Sequence, residues 1–565
     1  MNTQNYDVDV LIIGAGPVGL TMAHEVQRHG LSCRILDQKL APSETSRALG
    51  VFNRTLEVFE TMGMVDKIIP ETQPVHFLNV YARKRHLTQV SFESRAFETP
   101  FAYPVFCSQV HVEEVLRTKL YTHGVAVEWG TRLVDFQQDT EGVSATIQSA
   151  EESTQQIQAR WLIGCDGGHS LIRKQLHLPF NGSSDETWLI IDVELDWSLP
   201  KDSVYGFFGA DATVMAYPFP EGKRWRLLTT HVEEQTDPAS VSAQFARIIN
   251  SVYADEPVII PEPLWLSIFT IQQRHVPNMR AGRSFVVGDA AHVHSPASGQ
   301  GMNTGIQDAF NLAWKLALVI HNQASEHLLD SYSLEREPIA QNVLRGAKVF
   351  TRVLSQQYEV VQQVRNTILN GFYLLPFLRP FYNQQVSAVL SGFAHNYRQS
   401  PFVAQDWQVE GRNVRALTGI TPGDRLPDIR YGVDSTRRLY DLTRGVQHSA
   451  LLFVGIDAHE QDQQQAAHLL EQLVQRHDQW LQPYLFVTNE QVQTQLRKLV
   501  SETYQDAIVL DQYGILHRRF GAEHPTLYII RPDGYIGYRN QPASIEQLEH
   551  YANAVLGIKQ TIKTS

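Results

Sequence analysis

From Val8 the chain runs VDVLIIGAG, an apolar stretch that stops on glycines. Val18, Met22 and Val26 then recur at helical spacing, and a second apolar run, CRILD, ends at Asp37. A short apolar run bounded by glycine reads as a buried strand, and a 3.6-residue recurrence as a helix with one apolar face. The opening therefore predicts strand, helix, strand. Two more runs of the same kind, ARWLIGCDG from Ala159 and GRSFVVGDAAH from Gly282, lie more than a hundred residues apart. They can share a sheet with the first only if other layers are inserted between them. Over residues 178–272 the pattern switches to alternation, in WLIIDVELDW, SVYGFFGA, ATVMAYPF and RWRLLTTH, which predicts an antiparallel sheet with one face toward a ligand or core. From residue 303 to about 352 helical spacing returns, with Ile306, Phe310, Ala313, Ala317 and Ile320 on one face, and a helical connection follows to about residue 397. Pro and Gly cluster in TPGDRLPDI, and beyond it come ALLFVGID, a Gln-rich helical stretch, YLFVTN, AIVLDQYG and TLYIIRPDGYIGYR, an α/β order with a terminal hairpin.

With 565 residues, 43% of them hydrophobic, the chain is long enough for two to four cooperating units. Its net charge is −12 and no Lys/Arg-rich run occurs, so nucleic acid is not an expected partner. The longest apolar segments fall short of a membrane span, and Asp7 and Asp9 stand where a secretory signal would be basic and then apolar; a soluble, cytoplasmic protein is expected. Cys33, Cys107 and Cys165 have no pairing or metal-ligand spacing, and no metal site is expected.

Chemistry enters with Gly14-Ala15-Gly16-Pro17-Val18-Gly19, placed between strand and helix. Gly14 allows the tight turn, Gly16 lets backbone approach a pyrophosphate, and Gly19 lets helix pack on strand. Pro17 opens the helix, whose free amides face the phosphates. Asp37, ending the second strand, is placed to accept hydrogen bonds from an adenosine ribose. This predicts a dinucleotide site without choosing between flavin and nicotinamide.

Two further motifs make that choice. Cys165-Asp166-Gly167-Gly168-His169-Ser170 with Arg173, and Gly288-Asp289-Ala290-Ala291-His292 followed by GQGMNTGIQDAFNLAWKLA, resemble the DG and GD motifs of the single-component (class A) flavoprotein aromatic hydroxylases. The resemblance spans residues 7–352 in motif order and is similar to the phenol, 3-(3-hydroxyphenyl)propionate and polyketide hydroxylases. It implies FAD as cofactor, NAD(P)H and O2 as co-substrates, and a small aromatic substrate hydroxylated through a flavin C4a-hydroperoxide. Residue by residue it implies that Asp289 takes a ribityl hydroxyl, that Asp166 serves flavin placement and nicotinamide access, and that Gly301, Met302 and Asn303 bring a helix start to the pyrimidine edge. Arg47 and Gln109 match cofactor-contacting positions, and Pro296 matches a proline beside the reacting edge. An ion pair, a helix cap and a turn former are the respective alternatives for Arg47, Gln109 and Pro296, and a helix cap also for Asp289. Phenol hydroxylases carry an acidic residue two positions after the site of Arg47, where this chain has Leu49, so the phenol-deprotonating base is unnamed. His292 and His294 alternate, yet no third ligand of suitable type is adjacent. The chain has one glycine fingerprint, unlike Baeyer-Villiger enzymes, and lacks the WxWxIP signature of flavin halogenases.

The fold expected is α/β: a discontinuous Rossmann-like FAD-binding domain (1–177 and 273–400), an inserted antiparallel-sheet substrate domain (178–272), and a thioredoxin-like domain (410–565) without redox cysteines. Strand alternation puts Tyr205 with Phe207, and Met215 with Tyr217, on faces that could line an aromatic pocket or fill a core. A flavin oxidase or epoxidase, an antibiotic-inactivating oxygenase and a non-catalytic flavin-binding sensor remain alternatives, and a homodimer is left open.

Overall fold

The computed structural model describes residues 6–46, 48–210, 212–253, 257–294, 299–354, 379–407, 420–432, 434 and 436–559. The distant apolar runs do meet in one sheet. Val8–Ile13 pairs in parallel with Cys33–Asp37 on one side and with Thr154–Gly164 on the other, and the latter pairs in parallel with Ser284–Val286. Val127–Trp129 extends this sheet beyond Cys33–Asp37. All four runs point the same way, so their carboxyl ends, and the glycine turns that follow, share one edge. The helix Pro17–Arg28 crosses from the first strand to the second and packs on the helix Gly301–Ile320. A Cβ at Gly305 would fall 2.6 Å from Val18 Cγ2, so the missing side chain is what lets the two helices close.

The second eight-stranded sheet has the order His292–Val293, Trp265–His275, Asn181–Glu194, Arg224–Thr229, Thr213–Pro218, Ser203–Phe208, Phe77–Ala82, Arg85–Ser91. Its centre is the antiparallel block expected from alternation. Its far edge corrects the expected boundary: the hairpin Phe77–Ser91 comes from the stretch assigned to the FAD domain and joins through a parallel pairing, Ser203↔Phe77 to Phe207↔Tyr81. At the other edge, His292 of the GD motif pairs with His275, which ties the two large sheets together next to the cofactor motif.

A six-stranded sheet closes the chain, in the order Ala404–Trp407, Ile536–Gln541, Thr526–Ile530, His448–Phe453, Leu481–Val487, Ile508–Leu510. Its middle pairings are antiparallel and its outer ones parallel. This unit is locked onto the rest by buried charge. Arg531 donates to both carboxylate oxygens of Glu335 (2.7 and 2.8 Å), Lys315 donates to the same carboxylate (2.7 Å), and Arg425 pairs with Glu57 (2.8 Å). Arg438 bridges Glu60 and Asp428 (2.7 and 2.6 Å). Among the described residues no helix is long and apolar enough to cross a membrane.

Candidate cofactor and substrate site

The common edge of the parallel strands opens into a cavity of about 1770 Å³. A single small-molecule site takes roughly 300–1,000 Å³, so the cavity has room for two ligands end to end. At one end stands the glycine turn. Gly14 has φ +103°, and a Cβ there would collide with Cys165 O at 2.3 Å; at Gly19 it would fall 1.9 Å from Gly14 O. Gly16 differs, because a Cβ there meets nothing within 4 Å. Its missing side chain leaves space on the cavity wall, where Pro17 at the first helical position also lies. Asp37 reaches back to this turn, accepting from Ala15 N–H (2.8 Å) and Lys39 N–H (2.9 Å), and its carboxylate lines the same end.

The DG and GD carboxylates stand on this wall too. Asp166 Oδ2 accepts from Leu171 and Ile172 N–H (2.7 and 3.3 Å) at the start of the helix Leu171–Gln175, while Oδ1 is buried without a partner among the described residues. Burial pushes this carboxyl above its usual range. Arg173 braces the turn, donating to Gly168 O (2.7 Å) and Ala290 O (2.9 Å). Asp289 is exposed on the cavity wall close to the first turn of Gly301–Ile320. Gly301 and Met302 line the cavity as well, and by helix geometry their N–H groups have no intrahelical acceptor. Asn303 does not face the cavity with its side chain. Its Oδ1 accepts from Phe52 N–H (2.9 Å) and its Nδ2 donates to Gly50 O (2.9 Å) and Gly299 O (3.0 Å), so it ties the helix start to the strand Gly50–Val51.

Gln109 is engaged in a comparable way. Its Oε1 accepts from Ala48 N–H (3.1 Å) and its Nε2 donates to Glu113 (2.8 Å). It lines the cavity, with its carbonyl oxygen spent on Ala48 and its amide nitrogen on Glu113 of its own helix. Arg47 and Pro296 themselves lie outside the described residues. His292 gives its Nε2 to Asp308 (2.6 Å), and Asp308 in turn accepts from Arg336 (2.6 Å). Arg336 and His292 more than offset burial and hold the Asp308 carboxyl below its usual range.

The other end of the cavity is a wall of the second sheet. Met215 and Tyr217 line it, with Val204, Phe208, Ile190 and Leu228. Tyr205 and Phe207 do not, and here the structure corrects the expectation. Met215 pairs with Gly206, so the face it shares is that of Val204 and Phe208. Tyr205 and Phe207 have the opposite parity and pack with Trp197, Trp225 and Tyr253 against the helix Pro238–Val252. Leu49 also lines the cavity. Sequence reasoning missed several wall residues. Leu78, Val80 and Val90 come from the unexpected hairpin, and Val386, Leu390 and His395 from the helix Arg379–Ser391 and the segment after it. The charged side chain on the sheet wall among the described residues is Arg226, which donates to both oxygens of Asp192 (2.8 and 3.0 Å) and to Ser46 O (2.7 Å).

The donor set fits FAD. Gly16 leaves the space a pyrophosphate needs, the helix starts at Pro17 and Gly301 face the cavity, and carboxylates stand where ribose and ribityl hydroxyls would seek acceptors. Comparison with known proteins agrees. Residues 7–347 match the family described as FAD binding domain. A 6-methylpretetramide 4-monooxygenase of Streptomyces rimosus is 40% identical over 395 residues, covering 69% of this chain and 70% of that protein. A pentachlorophenol 4-monooxygenase of Sphingobium chlorophenolicum is 29% identical over 554 residues, covering 95% and 94%. Among solved structures, aklavinone-11 hydroxylase in a ternary complex with FAD and aklavinone shares the fold, with a TM-score of 0.76 at 24% identity over 98% of this chain and 100% of that one. The chain therefore belongs to the FAD-binding-domain family of flavin-dependent aromatic hydroxylases, and it is a monooxygenase with FAD as its cofactor.

Proposed function

We propose that the protein hydroxylates a large, neutral, polycyclic phenol with NAD(P)H and O2 as co-substrates, in the cytoplasm. The observation that carries the substrate class is the sheet wall: it is mostly apolar, and its cation, Arg226, is already held by the Asp192 carboxylate, which Arg224 shares. A carboxylated phenylpropionate would find Arg226 already spent on Asp192 and Ser46 O, whereas fused rings would bury apolar surface along the wall at about 25 cal/mol per Å². The relatives named for 6-methylpretetramide and aklavinone support the same class.

FAD, when bound, supplies the redox chemistry: it accepts hydride from the nicotinamide and activates oxygen for transfer of one atom to the ring. The chain's residues bind and orient. We assign the pyrophosphate to Gly14, Gly16, Pro17 and Gly19, the adenosine ribose to Asp37, the ribityl chain to Asp289, and the pyrimidine edge to the amides of Gly301 and Met302, whose helix dipole has the sign that favours negative charge there. Gln109 and Asn303 act one step back, fixing the loop after Arg47 and the strand Gly50–Val51. Met215 and Tyr217 contact the substrate. Tyr217 stays a neutral hydrogen-bonding hydroxyl, because burial raises its pKa. The apolar wall excludes water that would divert the activated oxygen to hydrogen peroxide. The carboxy-terminal unit is read as thioredoxin-like; it contains no cysteine and holds the long helices in place.

The test is to purify the protein, record its flavin spectrum, and screen polycyclic and monocyclic phenols for stimulated NADH or NADPH oxidation with product mass. Bound FAD and a product one oxygen heavier from a polycyclic phenol are expected. A protein that does not retain FAD, or stimulation confined to carboxylated monocyclic phenols, would contradict the reading.

A further inference from the structure

Among the polar groups that line the cavity beside its apolar wall, one without a protein partner is informative. His395 lies on the cavity wall just beyond the helix Arg379–Ser391, whose Val386 and Leu390 pack on the same cluster as Leu49, Phe106, Met215 and Tyr217. The segment before it is pinned to the start of the long helix, where Gln300 Nε2 donates to Val389 O (3.0 Å), and it closes on itself through Ala394 N–H to Ala388 O (3.0 Å). His395 therefore sits where the apolar compartment meets the first turn of Gly301–Ile320.

Its ring is half-buried, and Nδ1 is sealed from solvent with no hydrogen-bond partner among the described residues. The ring thus turns its Nε2 edge to the cavity. The two charges that act on it most are Arg336 on Asp330–Leu354 and Asp308 on Gly301–Ile320, joined as a buried ion pair at 2.6 Å. Burial, and then Arg336, pull the imidazole pKa down to about 4 against the opposing Asp308, so the ring is neutral at physiological pH. A neutral imidazole has one N–H and one lone pair. With Nδ1 sealed away from any partner among the described residues, the tautomer that serves a ligand oxygen is the one with the proton on Nε2.

We propose that His395 is a substrate-contacting residue whose Nε2–H donates a hydrogen bond to the phenolic oxygen of a bound polycyclic substrate and so favours its phenolate form. The proposal rests on the polycyclic-phenol reading above. It supplies what Leu49 withholds: with no carboxylate there to take the proton, the proton leaves to solvent and the anion is held by a donor. A phenolate ring is richer in electrons than a phenol ring, which suits it to receive an electrophilic oxygen.

The experiment uses the FAD-loaded protein with 2-hydroxyanthraquinone, whose visible spectrum distinguishes phenol from phenolate. The bound probe is titrated with pH in wild type, His395→Leu and His395→Gln, with FAD content checked by flavin absorbance. Around the probe the titratable and charged cavity groups are Tyr217, His294, Asp289, Arg345 and the Arg226–Asp192 pair, common to all three proteins. The expected result is a bound-probe pKa about one to two units higher in His395→Leu than in wild type, as loss of one hydrogen bond to a charged group implies. His395→Gln, whose amide reaches a similar place, recovers most of the shift. Equal pKa values in all three proteins, or a Gln variant no better than Leu at full FAD content, would overturn the role of His395. Failure of the probe to bind wild type at all is a separate result that overturns the substrate reading and the inference with it.

Discussion

A methyl group added at Gly16 would meet no protein atom within 4 Å, whereas one at Gly19 would fall 1.9 Å from Gly14 O. Two glycines of one motif thus do different work, and substitution separates them. Gly16→Ala is expected to fold normally and lose FAD affinity about 10- to 100-fold, the equivalent of about 1–3 kcal/mol of crowding against the ligand. Gly19→Ala is expected to lower thermal stability of the apoprotein by a similar energy. Calorimetric FAD titration and melting of both variants distinguish the two. Tyr217→Phe removes one hydroxyl from the substrate wall and is expected to raise KM about 2- to 10-fold with FAD binding unchanged, read from steady-state kinetics. The motif positions were legible in the sequence because each glycine spacing has one geometric use. What was not legible is where Asn303 and Gln109 aim their side chains: Phe52 with Gly50 claims the first, and Ala48 with Glu113 the second.

The strand, helix, strand opening and the long helix were readable from periodicity, since a buried parallel strand and an amphipathic helix leave different apolar spacing. The hairpin Phe77–Ser91 was not, because its half-buried strands carry Asn79, Arg85 and Gln89 and its partner, Ser203–Phe208, is remote in sequence. Which face of that partner meets the cavity was left open for a related reason. Alternation groups Tyr205 with Phe207, but the pairing of Gly206 with Met215 decides which group meets the cavity. At the scale of this sheet the proposed control of substrate charge rests on the Arg226–Asp192 pair. Asp192→Asn leaves the guanidinium uncompensated, so the affinity ratio of a carboxylated phenol to its neutral analogue is expected to rise about tenfold, measured by competition in one preparation. An unchanged ratio would remove Arg226 from the account of specificity.

For the whole molecule, a carboxy-terminal unit was foreseen from its α/β order and lack of cysteine, while its attachment was not, because ion pairs between distant segments leave no local pattern. The structure fuses it through Glu335, Lys315 and Arg531, all fully buried. Burial drives the Lys315 pKa down to about 8 even beside Glu335, and Glu335, despite its own burial, is held well below its ordinary 4.5 by Arg531 and Lys315. Below pH 4.5 the unfolded chain therefore binds protons that folded Glu335 refuses, so this stabilisation is full above about pH 5 and is lost progressively on acidification. Urea melts from pH 6 to 3 should show the loss, and Glu335→Gln should flatten the slope while costing about 3–5 kcal/mol at neutral pH. This unit steadies the helix that starts at Gly301, and through it the site whose purpose is ring hydroxylation. The most direct measurement of that purpose is mass analysis of the product formed from a polycyclic phenol, NADPH and ¹⁸O-labelled O2 by the FAD-loaded protein. One labelled oxygen on an aromatic carbon is the result the structure predicts. NADPH consumed with all the label in hydrogen peroxide and the phenol returned unchanged for every polycyclic phenol offered would contradict it.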